Sequence, residues 1–136
     1  MFDDKSGNPF EDAKVIYVYS RKNALEDGIQ VDANTGDLAE VTRQHYKVPV
    51  YMTKGVWDLI EKAVENKKLA NDLKGVWHDI LWMSKIGMNR NARYNYFTVI
   101  ITGTGRIRNH NMKIEIGALD FDDPKPAITI SLAGED

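Results

Sequence analysis

The residues best suited to chemistry in this chain are cationic and aromatic, and they crowd into one stretch. Residues 80–114 contain no Asp or Glu but carry Lys85, Arg90, Arg93, Arg106, Arg108 and Lys113. The summed field of such a run attracts phosphate or carboxylate groups, so it points to an anionic partner rather than to a reaction. Tyr94, Tyr96 and His110 are interleaved with the arginines. Guanidinium groups contact phosphates and tyrosine rings stack on unpaired bases. Arg90, Arg93, Tyr94, Tyr96, Arg106, Arg108 and His110 therefore form a candidate surface, in the basic segment 85–113, for single-stranded or distorted nucleic acid or for an acidic protein. A plain structural explanation competes with it: cations offset the negative end of a helix dipole, and alternating arginines keep a strand end solvated.

A second candidate is apolar. Leu69, Leu73, Val76, Trp77, Ile80 and Leu81 recur at helical spacing and predict a helix over residues 70–86. At about 100° per residue, Trp82 points almost opposite Leu73 and lies between His78 and Ile86. A helix apolar on two faces is expected to sit buried between a sheet and other helices. The functional alternative is an exposed His78, Trp82 and Ile86 patch for a protein partner, because Trp is enriched among interface hot spots.

Catalytic signatures are missing. The chain has no cysteine, which excludes disulfides, thiol catalysis and thiolate metal sites. His45, His78 and His110 fall on separate elements and lack the paired spacing of a zinc helix, so no metal or other cofactor is expected. Asp120, Asp122 and Asp123 read as a polar turn rather than a cation site. No G-x-S-x-G surrounds Ser6, Ser20, Ser84 or Ser131. Gly103 and Gly105 lie between two strand patterns, so they predict a hairpin turn, whereas a phosphate loop opens into a helix.

The elements that must position these residues follow from composition and period. At 136 residues, with 43% hydrophobic and 28% charged residues, the chain has the make-up of one ordinary globular domain. A net charge of -2 says little, but a pI near 5.9 counts against a nucleic-acid module unless the basic residues meet on one face. The longest apolar runs, at residues 15–19 and 97–101, are strand-length, so no membrane partner is expected and the cytoplasm is the expected compartment. Residues 1–14 read as a flexible N-terminal tail, and residues 15–136 as a single globular α+β domain.

Within that domain Ser20 caps a short helix that Gly28 ends, and residues 29–31 are extended. Asp37 and Glu40 have the spacing of a capping box for a helix through His45. Pro49 makes residues 48–50 extended and implies a sheet edge or no sheet. Thr53 caps a helix carrying Val56, Leu59, Ile60, Ala63 and Val64 on one stripe. Alternation then takes over at Phe97, Val99 and Ile101, at Met112, Ile114 and Ile116, and at Ile128, Ile130 and Leu132. The expected fold is a two-layer α+β domain: a C-terminal antiparallel meander of three to four strands, residues 15–19 being the fourth, packed against about three helices.

Four blocks of sequence carry a resemblance: VIYVYSRKNALEDGIQVD from Val15, VPVYMTKGVW from Val48, VWHDILWM from Val76 and PAITISLAGED from Pro126. In this order they resemble a family of uncharacterised bacterial, plasmid and phage proteins, a domain of unknown function. The resemblance covers nearly all of the chain from residue 15 and implies a mobile-element origin. It supplies no site residue. Where relatives carry a glycine-rich turn before the last strand, this chain has Asp120, Phe121, Asp122, Asp123 and Pro124. The leading functional reading is a small non-enzymatic interaction or accessory protein acting on a protein partner. A nucleic-acid-binding module is second, and a small enzyme whose site is assembled only by the fold is third.

Overall fold

Three of the four helices in the computed structural model, which describes residues 20–135, begin where the sequence supplies a capping oxygen. Helix α1 (Arg21–Glu26) starts on Ser20, whose Oγ accepts from Asn23 N at 3.0 Å, and stops before Gly28, which adopts φ 74°. Helix α3 (Lys54–Glu65) starts on Thr53 and α4 (Leu73–Lys85) on Asp72, whose Oδ1 accepts from Gly75 N at 2.8 Å. The start of α4 is therefore later than its apolar spacing predicts. Asn71 is turned aside and donates to Thr102 O at 3.0 Å. Helix α2 (Ala39–His45) grows from a 3-10 turn, Gly36–Leu38, and its N-cap makes no side-chain bond, so the expected capping box does not form.

The strands are β1 (Gln30–Asp32), β2 (Val50–Thr53), β3 (Tyr94–Ile100), β4 (Asn109–Asp120) and β5 (Asp123–Leu132). They form one five-stranded sheet in the order β1-β2-β5-β4-β3. The meander β3, β4 and β5 is antiparallel, as its alternation predicts. The expected all-antiparallel sheet of three to four strands is corrected to a mixed one, because β2 pairs parallel to β5 with Val50 opposite Ile128 and Met52 opposite Ile130. The expectations for residues 1–14 and 15–19 lie outside the described residues.

Pro49 does not mark an edge. It precedes the ladder and needs only its carbonyl, which accepts from Ile128 N at 2.9 Å, so β2 lies inside the sheet. Beyond Asp32 the ladder is prolonged by a side chain: Asn34 Oδ1 accepts from Val50 N at 2.8 Å and Asn34 Nδ2 donates to Val50 O at 3.0 Å. The β4–β5 connection is shorter than expected, with Asp120 opposite Asp123 and only Phe121 and Asp122 between the strands. The two strands project past the start of β2 as an arm. Pro126 lies on the arm with its nitrogen on the side away from β4, and Pro124 lies where the register shifts.

Helices α2, α3 and α4 cover one face of this sheet. Val50, Met52, Ile114, Ile128 and Ile130 from the strands meet Val56, Ile60, Trp77, Ile80 and Leu81 from the helices, all fully buried. Each such side chain contributes about 1.5–3 kcal/mol through removal from water. Among the described residues no element covers the opposite face over β3, where Tyr94, Tyr96, Thr98 and Ile100 are exposed and alternate with buried Phe97 and Val99. Tyr51, between inward Val50 and Met52, also points to that opposite face and carries Arg21 of α1 at 4.2 Å from its ring centre.

Candidate functional site

The basic segment does not converge. Arg93, just before β3, reaches Glu115 Oε2 at 3.8 Å on the open sheet face, an exposed pair of little energetic weight. Arg106 and Arg108 belong to the connection after β3, where Arg108 O accepts from Ile101 N at 2.9 Å. From Arg93 to Ile101 the extended chain rises roughly 25 Å, so these two arginines sit at the other end of the strand. Arg90 lies on the helical side of the sheet, in a groove with the ends of α2 and α4. Tyr94 and Tyr96 stay together on the open face, with ring centres 5.7 Å apart, and Lys113 Nζ lies 5.7 Å from the Tyr94 ring centre.

His110 ties the β3–β4 connection to itself. Its Nε2 is 3.1 Å from Thr104 Oγ1, which also bonds Ile107 O at 3.2 Å. Burial lowers its pKa from the ordinary imidazole value, partly opposed by a bond to the Ile101 backbone. Gly103 takes φ 89° in the same connection, a turn between strands as its sequence position predicts. A Cβ there would meet Ala63 O at 3.3 Å.

Helix α4 is not buried on both faces. Trp82 is 53% exposed and Ile86 57% exposed, because the helix packs on β3, α2 and α3 mainly with its Trp77 side, and of the described elements the end of α2 reaches the other side through His45. Trp82 is nevertheless held in place. Its ring stacks on His78 at 6.2 Å between centres, and Lys85 Nζ sits 5.3 Å from its own ring centre. Positions 78, 82 and 86 succeed one another by single turns, which makes them one exposed stripe.

The expectation that the histidines stay apart is corrected at the head of this stripe. The end of α2 brings His45 Nε2 to 2.8 Å from His78 Nδ1, and the two rings contact Trp82. Burial lowers the His45 pKa, and the positive fields of Lys85 and His78 lower it further. His45 Nδ1 is buried without a hydrogen-bond partner. Sequence reasoning missed His45 because nothing local links it to a helix 33 residues away.

A groove of about 390 Å³ opens beside this cluster, where the helical layer ends above β4 and β5. Its floor is apolar, made by Val48, Met88, Ile116, Pro126 and Ile128. Lys47, Lys85 and Arg90 stand around it with His45, and no Asp or Glu is in its described lining. Tyr46 completes one wall. Since Ser84 Oγ donates to Leu81 O at 2.6 Å, the Tyr46 hydroxyl donates to Ser84 Oγ at 2.7 Å, and burial raises the Tyr46 pKa. Of these residues the sequence had marked only Arg90 as a site residue, with Lys85 in the basic run; Lys47 was missed because its neighbours in space come from other elements.

The acidic turn has a structural task. Asp120 accepts from Arg21 N and Lys22 N, each at 3.0 Å, and from Phe121 N at 2.8 Å, so the arm's tip caps the start of α1. Those bonds lower the Asp120 pKa. Among the described residues no group of three or more His, Asp or Glu converges on one point, and no helix is long and apolar enough to cross a membrane.

A family model for proteins of unknown function, DUF6573, matches residues 6–136. The chain belongs to that family. Both α4 surfaces and the open sheet face fall inside the matched region. No curated protein matches the chain, and no solved structure does. The match agrees with the resemblance carried by the four sequence blocks in giving a family of unknown function over nearly the whole chain.

Proposed function

We propose that this chain is a non-enzymatic interaction protein of a mobile genetic element, acting in the cytoplasm on a protein partner that docks on the outer stripe of α4. The observation that carries this reading is Trp82, exposed yet fixed between His78 and Lys85. A side chain already ordered in the free protein loses less freedom on binding, which favours it as an anchor. Ile86 extends the apolar contact, and Lys85 favours acidic groups at its margin.

The test is photocrosslinking in the native host, with a benzophenone amino acid at position 82 and a control at exposed Lys68 in the connection between α3 and α4. A discrete adduct from position 82 alone, lost when Ile86→Asp is added, supports the proposal. Identical adducts from both positions, or none from position 82, reject it. Truncation of an anchor of this kind costs about 2 kcal/mol or more, so Trp82→Ala should weaken the identified partner about thirtyfold.

The open face of β3 favours a second reading in narrower form than the sequence gave it. Tyr94 and Tyr96 offer stacking surfaces next to Arg93 and Lys113 for single-stranded nucleic acid, without Arg106 and Arg108. Fluorescence anisotropy with labelled single strands at two salt concentrations tests it. Binding that weakens with salt and in Tyr96→Ala supports this face, and binding lost only in Arg106→Ala plus Arg108→Ala rejects it.

A further inference from the structure

The groove at the ends of α2 and α4 is distinct in character from the α4 stripe. We infer that it is a binding site for a small amphipathic anion, whose apolar body lies on the β4–β5 floor and whose carboxylate or phosphate head meets Lys47, Lys85 and Arg90. The charge count favours an anion. Helix carbonyl ends at Tyr46 and Ile86 bring about half a negative charge each, against three cationic side chains, leaving about two positive charges uncompensated.

Nothing else in the described lining supplies the missing negative charge. Tyr46 is a phenol whose burial opposes ionisation, and burial likewise disfavours a charge on His45. The described ion pairs are Lys54 with Asp58 and Arg93 with Glu115, so none of the three groove cations is paired among the described residues. Lys85 leans on the Trp82 ring, a contact that leaves its charge in place.

The floor sets the rest of the ligand. Ile116, Pro126 and Ile128 come from strands, and Val48 and Met88 add to the same apolar lining. A volume of about 390 Å³ falls within the range of sites that hold small organic molecules. An inorganic ion would leave this apolar surface in contact with water, whereas an anion with a hydrocarbon or aromatic body covers it. Arg90 follows α4 and Lys47 follows α2, so their donors reach the groove from two elements, which suits a head group with more than one oxygen.

The full chain, titrated with butyrate, hexanoate, octanoate, octyl phosphate and octylamine and followed by amide NMR shifts, tests the inference. Saturable shifts should appear at Met88, Ile116 and Ile128, and binding should tighten by up to about fourfold per added methylene. Tighter binding of octanoate or of octyl phosphate then assigns the head group as carboxylate or phosphate. Lys47→Ala plus Arg90→Ala, both exposed and outside the α4 stripe, should weaken octanoate at least about tenfold, with the fold checked by circular dichroism. Octylamine binding as well as octanoate, an absent chain-length effect, or a double variant that binds like the parent would overturn it. Trp82→Ala should retain octanoate binding, so this inference and the protein-partner proposal can fail separately.

Discussion

Trp77 and Trp82 are the same residue type on the same helix, turned about 140° apart, and they have opposite fates. Trp77 is fully buried and its indole nitrogen donates to Thr42 Oγ1 at 2.9 Å, an oxygen that itself donates to Ala33 O at 2.6 Å. Trp82 is more than half exposed and is held by a histidine ring and a lysine. The first joins helix to sheet through packing and a satisfied polar chain. The second is ordered without being covered. Burial of a tryptophan therefore depends on what the rest of the chain places opposite it, and helix period alone does not reveal that.

The contrast can be broken most forcefully at Trp77. Trp77→Ala should lower unfolding free energy in urea by about 3–5 kcal/mol, since it empties a core site with little room to collapse. A loss of less than about 1 kcal/mol would mean that this side of α4 is not core. Next in size is Thr42→Val, which keeps the shape but strands the indole N–H and should cost about 1–3 kcal/mol by the same measurement. An unchanged stability there would show that the buried chain from Trp77 through Thr42 to Ala33 contributes nothing.

A pH series sharpens the exposed side. As pH falls through about 6.5 the unfolded His45 imidazole takes up a proton. In the folded chain burial, Lys85 and His78 resist that uptake. The unfolded state then binds more protons, so stability is level above neutrality and declines as the solution becomes acidic. His45→Phe should reduce the decline between pH 7 and 5 without abolishing it, because His110 is also held low by burial. Depression of the Asp120 carboxyl acts lower, with its stabilisation lost as pH falls below the usual carboxylate range. The smallest effect belongs to Trp82→Ala, expected to shift stability by no more than about 0.5 kcal/mol. A larger loss would make Trp82 structural and remove the contrast.

What was legible in the sequence was local. Ser20 and Thr53 announce helix starts because a cap acts within three residues, and Phe97, Val99 and Ile101 announce a strand because alternation needs no partner. Asp37 failed as a cap because a 3-10 turn occupied its place. The parallel pairing of Val50 with Ile128 was hidden: its signal is a relation between distant segments, and Pro49 argued locally against it. The sites divide in the same way. His78, Trp82 and Ile86 lie on one helix, so their stripe could be drawn in advance, although its exposure could not. His45, Lys47 and Arg90 come together only because α2 and α4 end side by side. Arg106 and Arg108, adjacent to the others in sequence, are carried away by the length of β3.

The prolines of the β4–β5 arm bear on how copies of this chain behave together. Past the start of β2, strand β5 has no described strand on one side, the situation in which a neighbouring molecule can add its own strand. Pro126 has no amide hydrogen to offer there, and Pro124 breaks the register a little further on. A second chain approaching that edge finds acceptors but too few donors to zip against. The arm is thereby left single, long enough to reach Arg21 and hold α1 through Asp120, and poorly suited to seeding a fibre.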